Sequence, residues 1–238
     1  MKLLIVIPAY NEEESLPAVI ADLRAVCPQY DYLVVNDGST DTTAALCRKN
    51  GYNLLDLSAN LGLAGAFQAG LLYAARNGFD AALQFDADGQ HLAKYVEPLV
   101  QELEKGYDIV IGSRYVTVPK PITLRMFGSF LISFAMRFAT GHKICDPTSG
   151  MRIFGRKMIE IFAQNLNYPP EPDTISYLLH CGAKVHEVQV EVAPRLAGKS
   201  YLTFFRSARY MLTTSISILL IQWFRKNDLE TGREISDV

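Results

Sequence analysis

The run Leu3-Leu-Ile-Val-Ile7, followed at once by Pro8-Ala-Tyr-Asn-Glu-Glu13, sets the architecture of the chain. Five consecutive apolar residues, rich in β-branching and too few for a helix, read as a strand covered on both faces, which belongs in a parallel sheet. Downstream, Leu16, Val19, Ile20, Leu23 and Val26 recur at the spacing of one buried helical stripe. The alternation continues with a strand over Tyr32–Asn36 and a helix that Asp41 is suited to cap. A short strand follows at 54–57, then a helix over 63–76 with Phe67 and Leu71 inward. A strand at 82–85, a helix at 95–104 and a strand at 108–112 complete the series. Strands alternating with helices need crossover connections, so the expected fold is α/β with a mostly parallel central sheet flanked by helices. Residues 184–193 alternate and predict one later strand. No repeat or low-complexity segment interrupts the chain. The expected organisation is one catalytic domain over 1–200, a basic apolar helical extension over 201–227 and a polar tail over 228–238.

Composition removes several classes. The chain has 238 residues, 49% apolar and 20% charged, which is enough for a sizeable core and excludes global disorder. Cys27, Cys47, Cys145 and Cys181 form no CxxC pair, so neither a zinc ribbon nor a disulfide scaffold is expected, and a reduced, cytosolic setting fits. The apolar run before Pro8 is too short for a secretory signal. The four histidines lack HExxH spacing, and neither GxGxxG nor GxxxxGK[ST] occurs. A zinc hydrolase, a dinucleotide dehydrogenase and a P-loop kinase are therefore disfavoured.

The net charge of −2 hides an asymmetry. Arg114 to Lys143 carries five basic residues and no acid, and Arg195 to Lys226 carries six and no acid. Both windows are rich in Phe, Leu and Ile. Basic and apolar together point to an anionic membrane surface and away from nucleic acid. Buried helices with solvated basic ends are the plainer alternative. Tyr210 to Phe224 is uncharged for 15 residues, roughly 22 Å as a helix, short of a hydrocarbon core of about 30 Å. An interfacial helix suits this length better than a crossing.

Ligands of open parallel sheets bind beyond the carboxyl ends of the strands. There the chain places Pro8–Glu13, Asn36–Asp41, Asn60–Gly62, Asp86–Gln90 and Gly112–Arg114. In Phe85-Asp-Ala-Asp-Gly-Gln-His91, strand parity would aim Asp86, Asp88 and Gln90 at one point. Two carboxylates and an amide oxygen suit Mg²⁺ or Mn²⁺. An Asx-rich turn accounts for the same residues, and His91 reads as a turn residue.

Ile7-Pro-Ala-Tyr-Asn-Glu-Glu13, Val35-Asn-Asp-Gly-Ser-Thr-Asp41, Asn60-Leu-Gly62 with Ala69-Gly70, and Asp86-Ala-Asp88 resemble the successive signatures of glycosyltransferase family 2. Gly112-Ser-Arg-Tyr115, Asp146-Pro-Thr-Ser-Gly-Met-Arg152 and Pro194-Arg-Leu-Ala-Gly-Lys-Ser200 are similar to its dolichyl- or polyprenyl-phosphate hexose synthase branch. The resemblance implies a GT-A fold and an inverting, metal-dependent transfer from a UDP- or GDP-hexose. By this resemblance Pro8, Tyr10, Glu12, Asp37 and Asp86 bind the nucleotide-sugar, and Asp86, Asp88 and Gln90 hold the metal. Arg114, Arg125 and Ser129 take the acceptor phosphate, and Arg195 and Lys199 lie on a loop over the site. Asp88, Arg114, Arg125 and Arg195 are the expected catalytic set. A phosphate monoester acceptor needs cations to position it, and arginine suits that role. A sugar hydroxyl needs a carboxylate base, for which Glu171 or Asp173 is placed. The expected partners are a nucleotide-sugar, a polyprenyl phosphate and the cytoplasmic membrane face, with a homo-oligomer or a small membrane protein as a further option. A non-catalytic nucleotide-sugar-binding scaffold is the alternative of another class.

Overall fold

The computed structural model describes residues 1–121, 124–164, 170–196 and 204–224, without the side chains of 124, 125, 127, 204–208 and 221–224. Lys199, the 228–238 tail and the side chain of Arg125 therefore lie outside the described residues. The strands are β1 (Leu3–Ala9), β2 (Asp31–Asn36), β3 (Leu54–Asp56), β4 (Ala81–Gln84), β5 (Ile109–Ser113), β6 (Arg152–Gly155) and β7 (Val185–Gln189). They form one sheet in the order β3-β2-β1-β4-β6-β5-β7. All neighbours pair in parallel except at β6, which runs antiparallel between β4 and β5.

The helices are α1 (Leu16–Val26), α2 (Thr43–Lys49), α3 (Gly62–Arg76), α4 (Val96–Glu104), α5 (Leu124–Thr140), α6 (Arg156–Gln164), α7 (Pro172–His180) and α8 (Phe204–Phe224). The apolar run of β1 is split by strand parity: Leu4 and Val6 join the core under α3, α6 and α7, while Leu3, Ile5 and Ile7 join the core under α1 and α4. A strand with no solvent face explains why its sequence does not alternate. Leu16, Val19, Ile20 and Leu23 bury the stripe of α1, but Val26 is exposed because the helix ends there and Cys27 turns inward in its place. The N-cap of α2 is Thr42, one residue later than expected, and Asp41 just before it accepts the Thr43 N–H at 2.9 Å.

Strands β6 and β7 differ from the sequence reading, and helices α6 and α7 have no counterpart in it. β6 has no counterpart in the sequence reading, because four residues, Arg152–Gly155, are too few to show a period. Strand β7 stops at Gln189, short of the expected 193. Helix α8 begins at Phe204 and packs against α5 and α7. A Cβ on Gly128 would come 1.7 Å from Met211 Sδ, so only glycine lets α5 and α8 approach this closely. Among the described residues no helix is long and apolar enough to cross a membrane.

Candidate active site

The loops beyond β1, β2, β4 and β5 converge on one cleft of about 850 Å³. Its first wall is built by two loops stitched together. The Asn11 and Glu12 N–H groups donate to Ser39 Oγ (2.9 Å) and Thr43 Oγ1 (3.0 Å), and Asn11 Oδ1 accepts the Thr40 N–H at 2.8 Å. Asn11 does this at φ 56°, a left-handed conformation that asparagine tolerates. Pro8, Tyr10, Glu12 and Asp37 all line the cleft. Asp37 is buried and accepts the Leu61 N–H at 2.7 Å, which ties the second loop to the start of α3. Burial pushes its carboxyl above the ordinary value, against the backbone donors from Leu61 and Gly62.

The acidic rim follows β4. Asp88 is buried; its Oδ1 accepts the Gln90 N–H at 3.0 Å and its Oδ2 accepts from Arg195 Nη2 at 2.7 Å. Arg195 also lies 3.7 Å from Glu12 Oε1. The Leu196 N–H donates to the Asp88 carbonyl and the Ala193 N–H to the Gln90 carbonyl, so the segment carrying Arg195 lies along this turn. Asp86 is positioned from behind. Its N–H donates to His91 Nδ1 at 2.9 Å, which places the ring proton of the neutral imidazole on Nε2, 3.5 Å from Asp86 Oδ2. A Cβ on Gly150 would come within 2.8 Å of that same oxygen, so glycine makes the room it occupies.

Strand parity does not extend to Gln90. β4 ends at Gln84, and the residues after it form a turn with Gly89 at φ 78°. The Gln90 side chain points to the Ala193 carbonyl at 3.5 Å and does not line the cleft. Among the described residues no group of three or more His, Cys, Asp or Glu is arranged to hold a metal ion. The donor chemistry of the rim nevertheless fits a hard divalent cation. Asp86, Asp88 and Glu12 line one cleft, and within ion-pair distance among the described residues a single guanidinium, that of Arg195, faces them. Glu12 registers the excess: burial raises its carboxyl above the ordinary value, Asp88 and Asp86 add to this, and Ser15 and Arg195 oppose it.

The opposite wall is cationic. Arg114 grips the fully buried Asp146 through Nε (2.6 Å) and Nη2 (2.9 Å), while Asp146 and Cys145 donate their N–H groups to Glu187. Arg114 is thus an anchored residue that also lines the cleft. Arg152 is buried, donates to the carbonyls of Pro170 (2.8 Å) and Pro147 (2.7 Å), and its Nε has no hydrogen-bond partner among the described residues. Ser129, on α5, is buried, lines the cleft and accepts from Lys120 Nζ at 2.8 Å. The two base candidates separate. Glu171 lines the cleft but accepts a hydrogen bond from the Tyr210 hydroxyl of α8. Asp173 accepts from Ser217 Oγ at 2.9 Å and faces α8.

The cleft therefore gathers Pro8, Tyr10, Glu12, Asp37, Asp86, Asp88, Arg114, Ser129, Glu171 and Arg195, and leaves out Gln90 and Asp173. Sequence reasoning passed over His91, whose orienting role shows only when the turn folds back, and Lys120, one of several basic residues in its window.

Residues 4–162 match the family described as Glycosyl transferase family 2. The chain is 31% identical to a polyprenol monophosphomannose synthase of Mycolicibacterium smegmatis, over 84% of this chain and 80% of that protein. It is also 31% identical to an undecaprenyl-phosphate mannosyltransferase of Micrococcus luteus, over 85% of this chain and 88% of that protein. Among solved structures it is similar to glucosyl-3-phosphoglycerate synthase from Mycobacterium tuberculosis, solved with Mn²⁺, uridine diphosphate and phosphoglyceric acid. That likeness has a TM-score of 0.63 at 20% identity and covers 94% of this chain and 79% of the other. The shared fold is of the GT-A type.

Proposed function

The chain belongs to glycosyl transferase family 2, and on that premise we propose that it moves a hexose from a UDP- or GDP-hexose to a polyprenyl phosphate, with inversion at the anomeric carbon. The observation that carries the choice of acceptor is the make-up of the second wall. It lines the cleft with Arg114, Arg152 and Ser129, and among the described residues the carboxylate it adds, Glu171, accepts a hydrogen bond from the Tyr210 hydroxyl. A monoester phosphate is an anionic nucleophile at neutral pH and needs positioning more than a base. Two relatives named for sugar transfer to polyprenyl phosphates support the same reading.

In this reading Pro8, Tyr10 and Asp37 seat the nucleoside, and the acidic rim faces its diphosphate. Asp86 and Asp88 would hold Mg²⁺ or Mn²⁺, which when bound supplies positive charge against the departing diphosphate. His91 holds the Asp86 main chain and Gln84 Nε2 donates to its carboxylate, while Arg195 exchanges its bond to Asp88 for the diphosphate oxygens, adding a guanidinium to the leaving group. Arg114, rigid on Asp146, and Ser129 hold the acceptor phosphate in line with C1. Arg125 and Lys199 belong to this reading by resemblance alone. An acceptor oxygen attacks C1, the bond from C1 to the diphosphate oxygen breaks, and the nucleoside diphosphate leaves with the electron pair.

The membrane face enters through α5 and α8. Phe130, Phe134 and Phe138 are exposed at a spacing of four on α5, and Leu212, Ile216 and Leu220 at the same spacing on α8. Arg137 and Arg209 are exposed on the same two helices. Apolar stripes with basic residues suit a helix pair lying in the interface of an anionic leaflet.

The test is incubation with labelled nucleotide-hexoses, Mg²⁺ or Mn²⁺ and undecaprenyl phosphate in vesicles. The expected result is lipid-extractable label with one donor and none after chelation. Label confined to water-soluble or polymeric material with every donor would overturn the reading.

A further inference from the structure

Lys120 has surroundings unlike those of the other lysines. Its Nζ donates to Ser129 Oγ at 2.8 Å, and it lies 5.4 Å from the centroid of the Tyr115 ring and 5.0 Å from that of Phe130. Among the described residues no carboxylate comes within ion-pair distance of it. The nearest acids are engaged elsewhere, Asp146 by Arg114 and Glu187 by the N–H groups of Cys145 and Asp146. Burial holds the amine below its ordinary value. A half-buried cation between two aromatic faces, without a counter-ion, is costly unless an anion visits it.

Its position says which anion. Ser129, which Lys120 contacts, is buried and lines the cleft, whereas Phe130, which Lys120 also contacts, is exposed and begins the Phe130, Phe134, Phe138 stripe of α5. Lys120 itself is not part of the cleft lining; its ammonium sits against Ser129, between that lining residue and an apolar helix face. A ligand that fills both sides has an anionic head and a hydrocarbon tail. The Ser129 hydroxyl accepts from Lys120 and keeps its own proton to donate, so the pair offers two donors to one phosphate.

We propose that Lys120 is a further acceptor-binding residue, which grips the monoester phosphate of a prenyl chain where the cleft opens onto the phenylalanine stripe of α5. This rests on the polyprenyl-phosphate reading and adds a residue to it. Lys120 stands between the head group and the tail, so it selects for a phosphate that carries a chain.

The experiment uses the full chain with vesicle-borne undecaprenyl phosphate, alongside direct binding of geranyl phosphate, geraniol and inorganic phosphate by calorimetry. Losing one charge-assisted donor predicts that Lys120→Gln raises the KM for undecaprenyl phosphate by about tenfold. Donor KM and melting temperature stay as in the wild type, and Lys120→Arg recovers most of the loss. Geranyl phosphate binding weakens by a similar factor, geraniol does not depend on residue 120, and inorganic phosphate binds more weakly than geranyl phosphate throughout. An unchanged KM and unchanged geranyl phosphate binding in Lys120→Gln overturn the assignment while leaving the transferase reading intact. A wild type that transfers no sugar but loses geranyl phosphate binding in Lys120→Gln sinks the transferase reading and keeps the site. Equal binding of inorganic and geranyl phosphate overturns the selectivity for a chain.

Discussion

The wall that faces the donor and the wall that faces the acceptor are made by different means. Residues 3–113 reach the cleft as loops directly after parallel strands, and each functional side chain sits within a few residues of a strand end. From Arg114 onward the cleft is held by contacts far apart in the chain. Arg114 and Asp146 are 32 residues apart, Cys145 and Glu187 are 42, and Glu171 and Tyr210 are 39. The first wall is stitched across the chain as well, Asn11 to Ser39 over 28 residues and Glu12 to Thr43 over 31, but its side chains follow strand ends directly, whereas the second wall also draws on α5, β6 and the start of α7. A change in the first should cost chemistry at little cost in stability, and a change in the second should cost stability.

The sharpest contrast comes from one substitution in each wall. Asp88→Asn keeps an oxygen for the Gln90 N–H and removes the charge on the acidic rim. It is expected to lower kcat by about 10²-fold or more, since preorganised charge at a leaving group is worth that much. The fall in melting temperature should be smaller than in Asp146→Ala, because the amide oxygen still accepts from the Gln90 N–H. A variant that kept wild-type kcat would break the division between the walls. Asp146→Ala strips the partner from Arg114 and leaves a guanidinium without its counter-charge. The expected loss is about 3 kcal/mol in urea unfolding. Stability unchanged by this substitution would show that the second wall does not depend on its ion pair.

Smaller effects refine the same contrast. Tyr210→Phe removes the bond from α8 to Glu171 and should cost about 1 kcal/mol of stability, with transfer to a phosphate acceptor retained. A large fall in kcat would instead make Glu171 part of the chemistry. The smallest effect concerns pH. Burial raises the Glu12 carboxyl above 4.5, so the folded state binds that proton more tightly than the unfolded chain. Its contribution to stability is complete below the ordinary value and is lost as pH rises through the folded one. Glu12→Gln should flatten this part of the stability profile, measured by thermal unfolding between pH 4 and 7; an unaltered profile would contradict the assignment.

The same division explains what could be read from the residues beforehand. The β1 run, the α1 stripe and the strand-end loops are written in short-range spacing, and they carry the α/β fold and the donor side of the cleft. Strand β6 is not legible because four residues ending on Gly155 show no period, and because an antiparallel strand inside a parallel series is fixed by its neighbours. Gln90 was misplaced because strand geometry was carried past Gln84 into a turn. That Arg114 is anchored cannot be read from the sequence, because the carboxylate that holds it lies 32 residues away.

The central claim is that the second wall receives a phosphate and not a hydroxyl. The direct measurement presents undecaprenyl phosphate and undecaprenol in identical vesicles, with one labelled donor and a divalent ion, to the wild type and to Glu171→Gln. The account predicts labelled lipid from the phosphate alone, at equal rates for both proteins. Labelled lipid from undecaprenol that disappears in Glu171→Gln would contradict it.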